Sequence, residues 1–365
     1  LKTAILPNVI DIKTKEMNKR CFTIPFMIAL LWAGFSTASR AEGADAFTLG
    51  LPVECTIGSD CWVVNYADHD TSEAALDHMC KARTNDTHQG TDFAVKDLLA
   101  MQNGVNVVAA AGGRVVRVRD GVEDLGPTME ERQAMFDNNK GCGNGVVVEH
   151  KDGWQTLYCH LKKESIIVEE GQRVRQGDTL AQIGYSGFTE FPHLHFGVLL
   201  EGQSIDPFTG TDLGQGCGTM ARPLWATGLE AGSEAGDALK YRDFEIYAYG
   251  FAANPPDFEA IKIDTASPRV ISQDAQALVF WSAFYGVKKG DEITLEIKNP
   301  DGSVYAQSQN TQEKTRARQF YFVGKRNRAQ ITPGLYTASV TLKRAQSEGQ
   351  DPLEETRTAT INVPQ

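Results

Sequence analysis

The 365-residue chain has no Cys-x-x-Cys pair, no histidine after His195, and no second apolar run like the one between residues 21 and 35. The first absence argues against thiolate zinc clusters, whose ligands come in close pairs. The second leaves residues 196–365 without the usual general base and commonest metal ligand. The third leaves no candidate for a further membrane-spanning helix. Positive charge is also short: 36 Lys and Arg against 47 Asp and Glu give −11 and a pI near 5.2. That balance supplies no electrostatic footprint for nucleic acid, so no nucleic-acid partner is expected. No solenoid-type repeat is visible either. What is present, 41% apolar and 23% charged residues, is enough for real cores and argues against wholesale disorder. The length suggests two domains plus appendages.

Met17 opens a run with Lys19 and Arg20, then CFTIPFMIALLWAGF, then small residues ending near Ala41. A basic start, an apolar stretch and a small-residue end predict a secretory signal peptide over 17–41, with residues 1–16 untranslated or removed. The apolar stretch falls short of the ~20 residues of a spanning helix, which disfavours a retained anchor and predicts no stable membrane insertion after cleavage. Loss of residues 1–41 removes six basic and two acidic residues and takes the net charge to −15. The expected location is secreted, in the periplasm.

Cys21 lies in the signal, leaving Cys55, Cys61, Cys80, Cys142, Cys159 and Cys217. An even set in an exported chain suggests three disulfides. Cys142 and Cys159 form the best pair, because a hairpin through Lys151–Gly153 brings the outer ends of two strands together. Metal-ligating thiolates are the competing reading.

From Val105 to Val198, short β-runs broken by glycine predict a mainly β fold, an antiparallel barrel-like or sandwich domain with few helices. An acidic insert at 122–140 separates two of the strands, as a cleft wall or a solvated excursion. Residues 218–240 read as a linker, and 241–365 as an immunoglobulin-like β-sandwich with a hairpin turn at Asp301-Gly302 and turn residues Pro333-Gly334 before a strand from Leu335 to Leu342. Trp281, Phe284, Tyr321 and Phe322 are candidates for its core or for a ligand platform.

All seven histidines precede residue 196, so chemistry belongs to the first domain. In His193-Leu194-His195-Phe196-Gly197-Val198 a strand period of two puts both imidazoles on one face. His88-Gln89-Gly90-Thr91-Asp92 adds one nitrogen and one carboxylate from a loop entering a strand. His160 ends another strand. Singly, these are as compatible with a surface pair, a satisfied core histidine or a solvated face. Together they have the makeup of a catalytic zinc site: three N/O ligands, an open position and further imidazoles to move protons.

With HQGTDF, GNGVVVEHKDGWQTLYCHL, VEEGQRVRQGDTLAQIGYSG and FPHLHFGV followed by Asp206-Pro207, the chain resembles the lysostaphin-type, LytM-like zinc endopeptidases that cut peptidoglycan peptides. The likeness covers roughly residues 85–208 of an expected domain at 42–217, and the His-Glu-x-x-His motif of commoner zinc peptidases is absent. The resemblance implies that His88, Asp92 and His195 bind Zn2+ and that His160 and His193 are catalytic, moving a proton and stabilising the oxyanion as water attacks a peptide carbonyl. It implies peptidoglycan peptides as substrate and leaves the C-terminal domain for a protein regulator. His150 and the Asp68-His69-Asp70 run fall outside the core motifs and read as an exposed strand end and a loop. A biotinyl- or lipoyl-type carrier is disfavoured because the hairpin carries no modifiable lysine. A non-catalytic activator of other cell-wall hydrolases and an exported protease of protein substrates stay as rivals.

Overall fold

The structure, a computed structural model, describes residues 46–124, 131, 134, 140–226, 239–265, 267–347 and 349–365. The expected signal segment, most of the insert and residues 227–238 of the expected linker lie outside the described residues. Eleven strands precede the linker: β1 Cys61–Asn65, β2 Thr91–Val95, β3 Asn106–Val108, β4 Gly113–Arg119, β5 Asn144–Glu149, β6 Trp154–Leu161, β7 Arg173–Val174, β8 Thr179–Gln182, β9 His193–Leu200, β10 Gln203–Asp206 and β11 Thr211–Asp212. Their main sheet has the order β1-β2-β9-β6-β5-β4-β7, all antiparallel, with β10 and β11 continuing from β9; β3 and β8 form a small ribbon. The sheet is open, with edges at β1 and β7, rather than closed into a barrel.

Alternation decides which side of this sheet is core. Val115, Val148, Thr156 and Val198 oppose one another across β4, β5, β6 and β9 and are at most 1% exposed. Their strand neighbours on the other face, among them Arg114, Glu149 and Gln155, are exposed or half-buried. The β5–β6 hairpin turns through Lys151–Gly153, and its outer ends carry the Cys142–Cys159 disulfide. Cys55–Cys61 and Cys80–Cys217 complete three bridges.

The C-terminal strands are β12 Glu245–Ala252, β13 Ala277–Val287, β14 Glu292–Lys298, β15 Val304–Thr311, β16 Arg316–Arg326, β17 Gly334–Arg344 and β18 Leu353–Val363. They form two sheets, β12-β13-β16 and β15-β14-β17-β18, that share a core including Phe280, Phe284, Leu295, Val340 and Leu342. Asp301-Gly302 turns the β14–β15 hairpin, Gly302 at φ 85° and the Asp301 carboxylate accepting from the Ser303 N–H. Trp281 and Phe284 are core residues, Tyr321 is half-buried and Phe322 is exposed.

Thr48–Gln365 is one compact unit. Within it Trp62, Val64, Ala94 and Phe191 pack against Tyr247, Ala248, Trp281 and Tyr285 of β12 and β13. Two buried polar groups fix this seam. The Arg83 guanidinium donates to the carbonyls of Val63, Val64 and Arg242, and Asp97 accepts from the Thr265 N–H and hydroxyl. No helix among the described residues is long and apolar enough to cross a membrane.

Candidate metal centre

Register brings the first two groups together. Asp92 on β2 stands directly opposite His195 on β9, and His195 stands opposite Cys159 on β6, so the three share a face. Two residues earlier on β9, His193 projects to that face as well. His160 follows Cys159 at φ 61°, a left-handed backbone that costs on the order of 1–3 kcal/mol in a non-glycine residue and that functional sites often retain. It sits against a register shift in the β5–β6 pairing, and its N–H donates to the Cys142 carbonyl.

His88 enters from the loop before β2. Its Nδ1–H donates to the Tyr66 carbonyl at 2.7 Å, which leaves Nε2 as a lone pair in the neutral ring. That Nε2 lies 3.1 Å from Asp92 Oδ1 and 3.1 Å from His195 Nδ1, and the last two atoms are 2.9 Å apart. With His88 Nε2 and His195 Nδ1 unprotonated, the three atoms form a triangle of ligands that could share a cation. Tetrahedral zinc with bonds of about 2.0–2.1 Å spaces its ligands about 3.3 Å apart, close to this triangle. The donor set therefore fits a metal, and among the described residues only this histidine-carboxylate trio and the region of the Cys55–Cys61 disulfide group three such ligand types. The other Asp92 oxygen accepts from Asn65 Nδ2 at 2.9 Å, orienting the carboxylate.

The remaining two histidines are aimed inward by their outer nitrogens. His160 Nδ1 is 2.8 Å from the Ser186 carbonyl; His193 Nδ1 is 2.9 Å from the Phe191 carbonyl and 3.0 Å from Thr189 Oγ1. Both Nε2 atoms are thereby left as acceptors. The two rings lie 4.7 Å apart, with His160 6.0 Å from the His195 ring and His193 Nε2 3.5 Å from Asp92 Oδ1. Burial, reinforced by His193 and His195, drives the His160 imidazolium well down, so the ring is neutral at pH 7. Burial also lowers His193, with Asp92 opposing. For Asp92 burial would raise the carboxyl, but His88, His193 and the ring hydrogen bonds hold it well below the usual carboxylate range. Burial likewise disfavours a charged His88, and Asp92 outweighs it and raises the ring.

The five groups that the sequence singled out thus meet in one place, at a cleft of about 450 Å³ walled also by Phe188, Phe191 and Ala317 of β16. Phe191 stacks 4.8 Å from the His193 ring, and the Arg318 guanidinium lies over Phe191 at 5.2 Å, Tyr247 at 5.5 Å and Tyr285 at 5.6 Å. Asn65, the Tyr66 carbonyl, Thr189 and Arg318 were not found from sequence. Each acts through tertiary approach, for which no local spacing gives a signal.

One reading is corrected. His150 is not an exposed strand end: it is buried, Nδ1 against the Gly112 carbonyl at 2.9 Å and Nε2 against Thr156 Oγ1 at 2.9 Å, because the alternation that buries Val146 and Val148 carries it onto the core face. Asp68-His69-Asp70 is a loop. Asp68 accepts from the N–H groups of Asp70, Leu76 and Thr87, and His69 Nε2 meets Asp206 at 2.8 Å, which pins the segment behind His88.

Known proteins share this stretch. The model of peptidase family M23 matches residues 86–207. The peptidoglycan DD-endopeptidase ShyB of Vibrio cholerae is 33% identical over 119 residues, 33% of this chain and 22% of that one. An uncharacterized metalloprotease of Haemophilus influenzae is 32% identical over 122 residues, 33% of this chain and 20% of that one. The cell division protein DipM of Caulobacter vibrioides is 32% identical over 108 residues, 29% of this chain and 16% of that one. The match spans about a fifth of the length of the first two relatives. His88, Asp92, His160, His193 and His195 all lie inside the matched segment, and this chain therefore carries a peptidase family M23 domain.

Proposed function

We propose that the protein is an exported zinc endopeptidase that hydrolyses peptide bonds in peptidoglycan stem or cross-bridge peptides, with residues 42–217 as its catalytic domain and 241–365 as an immunoglobulin-like module. The observation that carries this reading is the convergence of His88 Nε2, Asp92 Oδ1 and His195 Nδ1 within 3.1 Å of one another, beside two neutral imidazoles whose Nε2 atoms are unprotonated. The peptidoglycan DD-endopeptidases among the relatives support the substrate class.

His88, Asp92 and His195 would hold zinc, which supplies Lewis acidity that lowers the pKa of water to about 7 and polarises a carbonyl. The protein's own groups do the rest. His160 and His193, held by the carbonyls of Ser186 and Phe191, accept the proton released on attack and return it to the departing amine. Once protonated, either ring is a donor to the oxyanion at the scissile carbon. Asn65 and Tyr66 keep the ligands in register, and Phe188 and Phe191 supply apolar walls that limit water in the cleft.

The test is mass spectrometry of peptides released from purified sacculi by the zinc-loaded protein, beside His193→Ala. We expect cleavage by the wild type and a loss of about 10²- to 10⁴-fold in the variant with zinc content kept. No release from folded, zinc-containing protein would overturn the reading in favour of a non-catalytic activator. Cleavage of casein but not sacculi would overturn the substrate class.

A further inference from the structure

The outer face of the main sheet carries a second charged feature that the metal centre does not use. On β9, Leu199 lies four residues beyond His195 and on the same face; Leu199 opposes Gln155, Gln155 opposes Glu149, Glu149 opposes Arg114, and Arg114 opposes Arg173. Along β4 the same face continues through Arg117, opposite Val147, and Arg119, opposite Gly145. The row beneath, from Val115 to Val198, is the buried core, so these arginines can point only outward on the side of the metal centre.

Like charges set directly across a strand pair destabilise a sheet, and Arg114 and Arg173 are such a pair. No ion pair within 4 Å joins Arg114, Arg117, Arg119 or Arg173 to a carboxylate among the described residues. The Arg119 guanidinium is pulled down by burial and then by repulsion from Arg117. At the β7 end the face opens into a groove of about 730 Å³, larger than the catalytic cleft, where Arg114, Lys151, Arg173 and Arg175 meet only Glu149 and Asp178. In a chain of net charge −11 these cations, of which Arg114 donates to the Gly171 carbonyl and Arg119 to the Gly143 carbonyl but none pairs with a carboxylate among the described residues, depart from the general surface.

We infer that the Arg119–Arg117–Arg114–Arg173 face is a binding track for carboxylate-bearing peptide, which holds the anionic part of the substrate strand while another part occupies the metal centre. The geometry suits one extended strand. From His195 to Leu199 is about 13 Å along β9, and from Leu199 to Arg114 three strand spacings add about 14 Å across the sheet. The resulting ~20 Å is spanned by about six residues of extended chain. Arginine matches the ligand, because its planar fork takes a carboxylate through two N–H bonds. This inference rests on the peptidoglycan reading for its substrate, since stem peptides carry free carboxylates. It assigns the track, and not the metal centre, the selection of charged over neutral strands.

The test measures binding apart from hydrolysis. Dissociation constants of fluorescent stem peptides with free carboxylates, and of the same peptides amidated, are determined on full-length His193→Ala protein with and without Arg114→Gln and Arg173→Gln. Cleavage of both peptides is measured on otherwise wild-type protein carrying the same arginine changes. We expect amidation to weaken binding about 10-fold, each arginine change to weaken only the carboxylate form by about 3- to 10-fold, and KM rather than kcat to move. Equal affinity for the free and amidated peptides overturns the track, even with hydrolysis intact. So does unchanged affinity in an arginine variant whose melting temperature matches the parent. Carboxylate-selective binding that the arginine changes abolish, without any hydrolysis, would keep the track and overturn only the endopeptidase.

Discussion

Gly90 offers the sharpest test of the metal centre, because its substitution removes no ligand atom and still should damage the site. A Cβ built there meets the Phe196 carbonyl oxygen at 2.6 Å and the His195 ring at 2.8 Å through both Cε1 and Nε2. Ordinary contact begins near 3.4 Å, so the backbone of β9 or the imidazole must give way by 0.6–0.8 Å. The carbonyl belongs to the residue that pairs with Thr91, and the ring is clamped by Asp92 and His88, so neither is a flexible side-chain end. A displacement of that size is enough to cost about 10²-fold in rate and 10- to 100-fold in metal affinity. The overlap should cost about 1–3 kcal/mol in stability. Gly197 is the internal control: it lies two residues beyond His195 on the same strand, and its added Cβ would find Leu157 no closer than 3.5 Å. Zinc affinity by chelator competition and kcat/KM on sacculus-derived peptides should both fall in Gly90→Ala and stay near wild type in Gly197→Ala. A folded Gly90→Ala protein with unchanged zinc affinity, or equal damage from both substitutions, would refute the account of why that loop carries glycine.

Two further predictions concern stability. Burial pushes the Glu245 carboxyl up to about 7, with Arg242 opposing. The folded protein then holds a proton that the unfolded chain releases near 4.5, so this contribution is complete below that pH and is lost as pH rises toward 7. Denaturant titrations at pH 5 and pH 8 should show the wild type losing about 2–3 kcal/mol relative to Glu245→Gln, and parallel curves for the two proteins would exclude this assignment. Among the disulfides, Cys142–Cys159 spans 17 residues and Cys80–Cys217 spans 137, for which loop entropy gives about 3 and about 5 kcal/mol respectively. Paired Cys→Ala variants should follow that order in chemical denaturation. Only the Cys142/Cys159 variant should also lose kcat at temperatures where both stay folded, because Cys142 and Cys159 hold the backbone of His160.

The elements most legible in the sequence were those written in local chemistry. The two-residue period of His193 and His195 and the entry of His88 and Asp92 into a strand predicted a shared face, and β2 and β9 pair to make it. The hairpin through Lys151–Gly153 fixed one disulfide in advance. His150 misled because it closes a strand, where exposure is the usual expectation, whereas the alternation that buries Val146 and Val148 and exposes Glu149 carries through it and tucks the ring against Thr156. Sheet closure was equally hidden, since openness depends on which strands lie at the edge and not on the content of any one strand. The supporting groups Asn65 and Thr189 come from segments whose approach is set by the whole sheet order.

The contact of Arg318 with Phe191, and of Phe191 with His193, bears on how this chain could be taken apart or recombined. A cut in the 227–238 stretch would look like a clean separation of modules in sequence, yet it would strip Trp62, Val64 and Phe191 of their cover and leave one wall of the cleft unsupported. Swapping in a foreign C-terminal half would preserve the architecture only if the newcomer brought an equivalent cation over Phe191 and apolar cover for Trp62 and Val64. The M23 domain is thus a tenant of its neighbour's surface, held there in part by three side chains, Arg318, Tyr247 and Tyr285, that lie outside the trio His88, Asp92 and His195.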